Sequence, residues 1–273
     1  MTNKITELNT SWRKVASAMY RKPRDSKIYG SVEIDVTMLE QFIAKKRKEG
    51  IKTTLTQLIT LIVGRSIATE VPEMNAYIRR GRVIQRKQVD AMVSVLLKSD
   101  EMGSVKIENA DQVTVSELAE IIAKKIKESR QGEENKAMQS KQVLSSLPWP
   151  FRNWVFNLYK KITIDWGLRV PGINLSSDSF GSYVISNIGT LGLDTGYAAL
   201  LPSSNVSIVL IIGKVYKKPV VINDQIVPRK ILLLSATLDH RVVDGSHGGK
   251  LFRYIKYLIK NPELLDRKPG VEK

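Results

Sequence analysis

The chain has 273 residues, of which 42% are hydrophobic and 26% charged, a composition typical of a globular protein with one large domain or two modest ones. It contains no cysteine, which excludes disulfides, thiolate metal sites and a cysteine nucleophile, and fits a reducing compartment. The 43 basic and 27 acidic residues give a net charge of +16, which leaves three classes of partner open: nucleic acid, an anionic membrane surface, and a polyanionic small molecule such as a nucleotide-bearing cofactor.

The distribution of charge and hydropathy narrows these classes. The basic residues are spread over several runs rather than gathered in one tail, which disfavours nucleic acid. Two histidines without clustered carboxylates disfavour a catalytic metal. The first residues lack the apolar core of a signal peptide, and no apolar run approaches the roughly 20 residues that span a bilayer. We therefore expect a cytoplasmic protein that uses no metal.

The first half of the chain is predicted to be mainly helical. A helix is expected over residues 11–20, and a strand over 28–36, where apolar and polar residues alternate. Three further helix starts have the spacing of a capping box, in which two residues three positions apart satisfy each other's backbone N–H groups. These pairs are Thr37 with Glu40, Thr54 with Gln57, and Thr114 with Glu117. Gly50 and Gly132 are predicted to end the first and third of these helices.

Strands dominate the second half. A strand over residues 82–98 is expected after the turn Arg80-Gly81. Runs rich in Ile, Val and Leu predict further strands over 181–187, 205–215, 220–227 and 231–238. Lys217-Lys218-Pro219 and Asn223-Asp224 are predicted as turns. One apolar face over residues 248–260 predicts a terminal helix. The chain shows no internal repeat and is predicted to be mixed α and β.

The segment 133–179 is atypical because it carries three of the four tryptophans. A helix is predicted over residues 151–161, with one face formed by Phe151, Trp154, Val155 and Leu158. Two explanations of this face remain open. It packs on the domain or on a neighbouring subunit, or it is an interfacial membrane helix or docking surface within residues 147–161.

The clearest chemical signal is the turn that follows the apolar run 231–238. It begins with Asp239 and His240 and ends with Asp244 and Gly245. Histidine ordinarily titrates near neutrality, so His240 is the candidate general base. Upstream, the predicted strand 181–187 ends in Ser186 and Asn187, where a hydroxyl can donate to a developing oxyanion. A serine hydrolase is disfavoured because Ser186 lacks a Gly-x-Ser-x-Gly elbow.

Several short motifs resemble, in the same order, the catalytic core of dihydrolipoyl acyltransferases, the central component of 2-oxoacid dehydrogenase complexes. The resemblance extends from about residue 11 to residue 263, and chloramphenicol acetyltransferase shares the fold. The motifs lie at residues 11–19, 32–37, 72–76, 185–189 and 239–245. The resemblance implies a single α/β catalytic domain over residues 1–273, of the α+β type. Its expected architecture is a trimeric, chloramphenicol acetyltransferase-like two-layer fold with a mixed β-sheet and packed helices.

The resemblance also implies roles for individual residues. His240 corresponds to the base that deprotonates the thiol of coenzyme A or dihydrolipoamide, and Ser186 to the oxyanion donor, which comes from the neighbouring subunit. Asp244 corresponds to the carboxylate that maintains the loop by an ion pair, with Arg13 as its candidate partner. Asn187, beside the serine, is assigned a supporting role. Nothing in the sequence assigns a role to His247.

The implied activity is acyl transfer between coenzyme A and a thiol acceptor, with dihydrolipoamide as the first choice. The implied assembly is a homotrimer, with the larger cubic cage of the family as an extension. Three departures from the family pattern bear on this expectation. The sequence starts at the catalytic core, so we expect the lipoyl group on a separate protein. Residues 102–111 replace a Gly-Leu-Val-Val-Pro-Val-like segment, and residues 133–179 are largely an insertion. Another small acceptor, or a non-catalytic trimer or cage scaffold, remains an alternative.

Overall fold

The computed structural model of the chain describes residues 26–96, 102–130, 148, 150–168, 178, 180–201 and 204–269. The predicted helix 11–20 with Arg13, and the predicted helix end at Gly132, lie outside the described residues. The elements, in chain order, are β1 (Lys27–Asp35), α1 (Thr37–Lys48), α2 (Leu55–Glu70), β2 (Ala76–Arg79), β3 (Arg82–Gln85), β4 (Ala91–Leu96), β5 (Met102–Ile107), α3 (Val115–Arg130), α4 (Phe151–Lys160), β6 (Tyr183–Asn187), β7 (Ile208–Ile212), β8 (Tyr216–Ile222), β9 (Gln225–Asp239) and α5 (Gly245–Lys260).

A mixed sheet of the described strands organises the domain. Its order is β1-β9-β7-β6-β4-β5, and β8 pairs with the first part of β9. The β7–β6 and β6–β4 pairs are parallel, and the other pairs are antiparallel. Strand β6 lies between two parallel neighbours: its first three residues pair with β4, and its pairing with β7 continues to the carboxyl end, where Ser186 lies opposite Ile211.

Helices cover one face of this sheet and form the core with it. Ile185 of β6 and Leu210 of β7 are fully buried, as is the central apolar run of α2. The fully buried Tyr183 donates its hydroxyl to the Thr60 carbonyl of α2 at 2.6 Å, and this burial raises the pKa of the phenol. The apolar side chains of α5 complete the layer. The predicted mixed fold with packed helices is therefore confirmed.

The predicted helix caps have two different outcomes. The Thr54–Gln57 and Thr114–Glu117 capping boxes form, with reciprocal side-chain to backbone hydrogen bonds. The Thr37–Glu40 box does not form. Helix α1 begins at Thr37, whose N–H donates to the Asp35 carboxylate, and Glu40 pairs instead with Lys230. Gly50 has φ +87°, as predicted for a left-handed helix end.

The strand and turn predictions require four corrections. The strand 82–98 is interrupted between β3 and β4, and β3 forms a hairpin with the unpredicted strand β2 through Arg80-Gly81. The predicted strand 220–227 is the tip of the β8–β9 hairpin, which turns at Asn223-Asp224. Lys217-Lys218-Pro219 is not a turn, because these residues pair with β9 inside β8. Strand β5 was also not predicted.

The predicted helix in the atypical segment forms as α4 and continues into a π-helical turn, Lys161–Asp165. Its apolar face is not packed on the described part of the domain, because Phe151 and Trp154 are 63% and 67% exposed. The partly buried side chains are those of Phe156, Tyr159 and Lys160, on a different side of the helix. Among the described residues, no helix has the length and apolar character that crossing a bilayer requires.

Candidate active site

The turn after β9 holds His240 through several backbone contacts. The Asp239 N–H donates to the Ser207 carbonyl at 2.9 Å, and the His240 N–H donates to the Ser26 carbonyl at 2.7 Å. Val242 and Val243 then donate their N–H groups back to the Asp239 carbonyl at 2.9 and 3.1 Å. Because the start of the turn is bonded to residues beside two neighbouring strands and its end bonds back to Asp239, the backbone of His240 is fixed relative to the sheet.

Asp239 and Arg241 brace the same turn with their side chains. The buried Asp239 carboxylate accepts hydrogen bonds from the Arg241 N–H at 3.0 Å and from the guanidinium Nε and Nη2, the latter at 2.6 Å. This hydrogen bonding raises the pKa of the Arg241 guanidinium. The arginine side chain therefore folds back on its own turn.

The Nδ1 atom of the His240 imidazole faces two hydrogen-bond acceptors. The Val243 carbonyl oxygen lies 3.0 Å from Nδ1 and the Asp244 Oδ1 lies 3.2 Å from it. Because neither a carbonyl nor a carboxylate oxygen can donate, the proton of the neutral ring is held on Nδ1. Nε2 then carries the lone pair, so the geometry prepares that nitrogen to accept a proton. The side chain is half-exposed, so a substrate can reach it.

Asp244 has a second role at the start of α5, where it is the N-cap residue. Its N–H donates to the Nδ1 of His247 at 3.0 Å. The structure therefore assigns His247 a capping role that was not predicted. The spacing of three residues was visible in the sequence, but histidine is not one of the usual capping-box residues. The predicted partner of Asp244, Arg13, lies outside the described residues.

Ser186 and Asn187 lie on opposite faces of the sheet. Asn187 donates its amide to the Thr56 hydroxyl of α2 at 2.9 Å, on the helical side. Ser186 lines a cavity of about 610 Å³ on the other side. Asn187 therefore anchors the strand end, whereas Ser186 presents its hydroxyl to a space that can admit a ligand. This assignment of faces follows from the alternation of side chains along a strand.

An extended segment, residues 193–201, forms the outer wall of that cavity. The ring of Tyr197 packs edge-on against Tyr29 of β1, with the centroids 5.3 Å apart, and Thr195 shares a hydrogen bond with Ser235 of β9. Sequence periodicity could not predict this wall because the segment is neither helix nor strand. The contacts nevertheless fix it over the sheet, so the cavity is a preformed feature.

Gly213 controls how closely this wall approaches the sheet. A Cβ atom added at Gly213 would lie 1.9 Å from the Asp194 carbonyl oxygen. We expect Gly213→Ala to lower the free energy of unfolding by about 1–3 kcal/mol, because the wall must move outward. Urea denaturation will measure this change. Gly249→Ala is the matched control, since a Cβ there meets nothing within 4 Å inside α5, and it should stabilise the protein by about 0.5–1 kcal/mol. Equal effects of the two changes would contradict the expectation.

One chain does not bring Ser186 and His240 together. Ser186 pairs with Ile211 of β7, which pairs with Ser235 of β9. The serine is therefore two strands away from β9, level with a residue that precedes His240 by five positions. With strand spacings of about 4.8 Å and a rise of about 3.3 Å per residue, the two Cα atoms are roughly 20 Å apart. A site that uses both residues therefore needs a second copy of the chain.

A second cavity, of about 470 Å³, lies beside the histidine turn. Its lining includes four basic side chains and two carboxylates. These are Lys27, Arg80, Lys160, Arg241, Asp165 and Asp239. Because Asp239 is already paired with Arg241, the remaining charge of the cavity is positive and favours an anionic ligand. Within the described residues, no group of three or more His, Asp or Glu side chains could hold a metal ion.

Comparisons with known sequences agree with the predicted resemblance. Residues 168–266 match the family model described as 2-oxoacid dehydrogenases acyltransferase (catalytic domain). The chain is 33% identical over 93 residues to the dihydrolipoyllysine-residue acetyltransferase component of the pyruvate dehydrogenase complex of Acholeplasma laidlawii. It is 41% identical over 81 residues to the corresponding component of Staphylococcus aureus. These alignments cover 34% and 30% of this chain and 17% and 18% of the relatives, so the chain matches less than a fifth of their length.

Solved structures extend the likeness to the whole fold. A probable dihydrolipoamide acetyltransferase from Listeria monocytogenes has a TM-score of 0.63 and 18% identity, covering 96% of this chain and 95% of that chain. The cubic core of a pyruvate dehydrogenase multienzyme complex has the same TM-score and 19% identity, covering 97% and 90%. Azotobacter vinelandii dihydrolipoamide acetyltransferase, studied for the catalytic role of a serine, a histidine and an asparagine, has a TM-score of 0.62 and 21% identity, covering 97% and 90%. The predicted resemblance is confirmed, and the fold is that of these acyltransferase cores.

Proposed function

We propose that the chain is an acyltransferase domain that moves an acyl group between coenzyme A and a thiol acceptor, with dihydrolipoamide as the first-choice acceptor. The observation that carries this proposal is the imidazole of His240, whose Nδ1 faces two acceptors so that Nε2 is left as a base. The turn that holds it lies within the part of the chain that matches the acyltransferase family model.

The spacing of the candidate residues supports the same assignment. In the Azotobacter enzyme, the named histidine and asparagine are four residues apart, and the named serine precedes the histidine by 52 residues. Here Asp244 follows His240 by four residues, and Ser186 precedes it by 54. We therefore propose His240, Ser186 and Asp244 as the site residues. Asn187 supports the strand end, and Arg13 is kept as a candidate for the ion pair with Asp244.

The proposed reaction is one displacement with a tetrahedral intermediate. Nε2 of His240 takes the proton from the acceptor thiol, and the thiolate sulfur forms a bond to the thioester carbonyl carbon. The carbonyl electron pair moves onto oxygen, where the Ser186 hydroxyl donates a hydrogen bond to the oxyanion. When the intermediate collapses, the bond to the sulfur of coenzyme A breaks and the departing thiolate recovers the proton from His240. The step needs no metal and no enzyme cysteine.

The site is proposed to lie between subunits of a homotrimer. The separation of roughly 20 Å between Ser186 and His240 in one chain supports this arrangement, because only a neighbouring copy can bring the serine to the histidine. Cyclic symmetry would then form three identical sites. We further propose that trimers can assemble into a cubic particle, as in the pyruvate dehydrogenase core.

The two cavities fit the parts of coenzyme A. The cavity at Ser186 is lined mostly by apolar groups with a few hydroxyls, which suits a narrow pantetheine or lipoyl arm. The cavity beside the histidine turn has basic side chains, among them Arg80 and Lys160, that can bind phosphate. These residues would bind and orient the substrate, while His240 and Ser186 handle the proton and the oxyanion. We propose that residues 1–273 form one catalytic domain of a cytoplasmic protein that acts with coenzyme A and a lipoyl group.

The purified chain should transfer acetyl groups from acetyl-coenzyme A to free dihydrolipoamide. Release of free coenzyme A, measured with a thiol-independent assay such as chromatography, gives the rate. A panel of other thiols and small alcohols should give lower kcat/KM values if dihydrolipoamide is the acceptor. A higher kcat/KM for another compound would identify that compound as the acceptor and would leave the proposed mechanism unchanged. No transfer to any acceptor by a correctly assembled protein would favour the scaffold alternative.

A further inference from the structure

Helix α4 presents its apolar face to solvent. The exposed fractions of Trp154, Val155 and Leu158 are 67%, 37% and 43%, and Phe151 on the same face is 63% exposed. In most globular domains such a face is turned toward the core. The apolar surface continues beyond the helix, because Trp166 and Leu168 are each 46% exposed. We call the exposed side chains of Phe151, Trp154, Val155, Leu158, Trp166 and Leu168 the aromatic surface.

The aromatic surface adjoins a basic hairpin. The Arg80 N–H donates to the Asp165 carbonyl at 2.8 Å, and its Nε donates to the Trp166 carbonyl at 3.1 Å. The side chain of Arg79 lies against Gly167, where an added Cβ would be 2.3 Å from its Cδ. Arg82 pairs with Arg79 across the hairpin and is exposed. These contacts join β2–β3 to the turn that follows α4.

Two lysines add to this positive charge. Lys160 ends α4, and Lys161 begins the turn, with its Nζ 5.6 Å from the centroid of the Trp166 ring. This turn also contains the acidic Asp165, whose carboxylate lies 3.9 Å from the Lys160 ammonium group. The basic side chains that border the aromatic surface are Arg79, Arg80, Arg82, Lys160 and Lys161. Aromatic rings bordered by basic side chains are typical of helices that lie in a membrane interface.

We propose that α4 and the adjoining hairpin bind an anionic lipid surface, with the aromatic surface inserted at the level of the headgroups. The partner must be negatively charged to complement the basic border, and its surface must accept indole and phenyl rings. A second copy that met this surface with its own copy of the same surface fits less well, because the two basic borders would then face each other with like charge. The proposed catalytic activity is not required for this binding.

Binding to the lipid surface should need both the aromatic surface and its basic border. The rings provide apolar area that enters the interface, and the basic side chains are attracted to the negative surface potential of the lipids. Binding should therefore require anionic lipid and weaken with salt, since salt screens exposed charges. Insertion should also move the Trp154 indole out of water, which a purely electrostatic contact would not do.

Flotation with vesicles tests the proposal on the full chain. Vesicles of phosphatidylcholine with about 30% phosphatidylglycerol should carry the protein at about 0.1 M salt, and pure phosphatidylcholine vesicles should not. Changing Lys161 or Arg82 to Gln should weaken the binding by about fivefold each. Brominated lipids should quench the fluorescence of Trp154 in a variant whose other tryptophans are replaced by Phe.

Matched charge changes on the same helix identify the contacting face. The double variant Trp154→Glu with Leu158→Glu should lose vesicle binding by at least about tenfold, because it places two carboxylates in the aromatic surface. The control, Asn153→Glu with Asn157→Glu, adds the same charge at exposed positions outside that face and should retain most of the binding. Both variants should keep the wild-type acyl-transfer rate and particle mass.

Three outcomes would overturn the proposal. The wild-type protein does not float with anionic vesicles at low salt. The two double variants bind equally, so that charge alone explains the contact. The Trp154→Glu, Leu158→Glu variant dissociates the assembly in light scattering, in which case the aromatic surface belongs to a subunit interface. Circular dichroism of each variant will check that α4 and the domain remain folded.

Discussion

Replacing His240 with Ala is expected to lower kcat for acyl transfer by about a thousandfold, within the range that general-base catalysis contributes. The reason is the fixed tautomer: Val243 and Asp244 hold the proton on Nδ1, so Nε2 is the nitrogen that can deprotonate the thiol. Without it, the reaction depends on the small fraction of acceptor that is ionised in solution. Steady-state kinetics with dihydrolipoamide will measure the change.

The second histidine of the chain provides the control. His247→Gln removes the imidazole but keeps an acceptor at the position that caps the Asp244 N–H, since glutamine is a usual capping-box residue. This variant should keep the wild-type kcat. His240→Ala should leave the particle mass and circular dichroism unchanged, because the imidazole is half-exposed. Unchanged turnover in His240→Ala, or an equal loss in His247→Gln, would remove His240 as the base.

Local capping chemistry predicted helix starts well where no competing partner was near. Thr54 and Thr114 form their boxes because Gln57 and Glu117 are the acceptors closest to the free N–H groups. The Thr37–Glu40 box does not form, because the Asp35 carboxylate accepts the hydrogen bond from the Thr37 N–H instead. Glu40 is then available for the ion pair with Lys230, a residue that only the folded sheet brings near. Long-range contacts of this kind cannot be read from spacing.

The β8–β9 hairpin shows a similar limit for strands. Lys217-Lys218-Pro219 has the composition of a turn, but Pro219 lies opposite Pro228 in the folded hairpin. The pairing of β8 along its length with β9 therefore overrides the local preference. The turn is formed instead at Asn223 and Asp224, which adopt positive φ angles of 49° and 61°. Both residue types tolerate this conformation, so the sequence contained the correct signal as well as the wrong one.

Motif resemblance predicted His240, Ser186 and Asp244 as site residues, and these assignments stay predictions. It could not predict the geometry around them, because the acceptor at Val243 is a backbone atom that no side-chain pattern indicates. The wall at residues 193–201 has no periodicity to detect. The separation of Ser186 from His240 follows from the strand order, which requires the pairing of β6, β7 and β9.

Ser186→Ala is expected to lower kcat by about a hundredfold, the effect of one lost oxyanion donor, with little change in KM. In the proposed mechanism its hydroxyl contributes to the transition state and not to substrate binding, so the ground-state complex should be retained. Ser94→Ala is the matched control, because Ser94 lines the same cavity from β4. Stopped-flow measurement of the single-turnover rate will separate chemistry from product release. A raised KM with normal kcat would assign Ser186 to binding instead.

Mixing the two inactive variants tests whether each site is shared between chains. In a cyclic trimer, a site takes its histidine from one subunit and its serine from the next. When Ser186→Ala and His240→Ala chains are refolded together in equal amounts, about a quarter of the sites should contain both functional residues, so about a quarter of the wild-type activity should return. Each variant refolded alone should keep only about a hundredth of the wild-type activity or less. If both residues acted within one chain, every site of the mixture would lack one of them and no activity would return, in conflict with the roughly 20 Å that the strand register places between them.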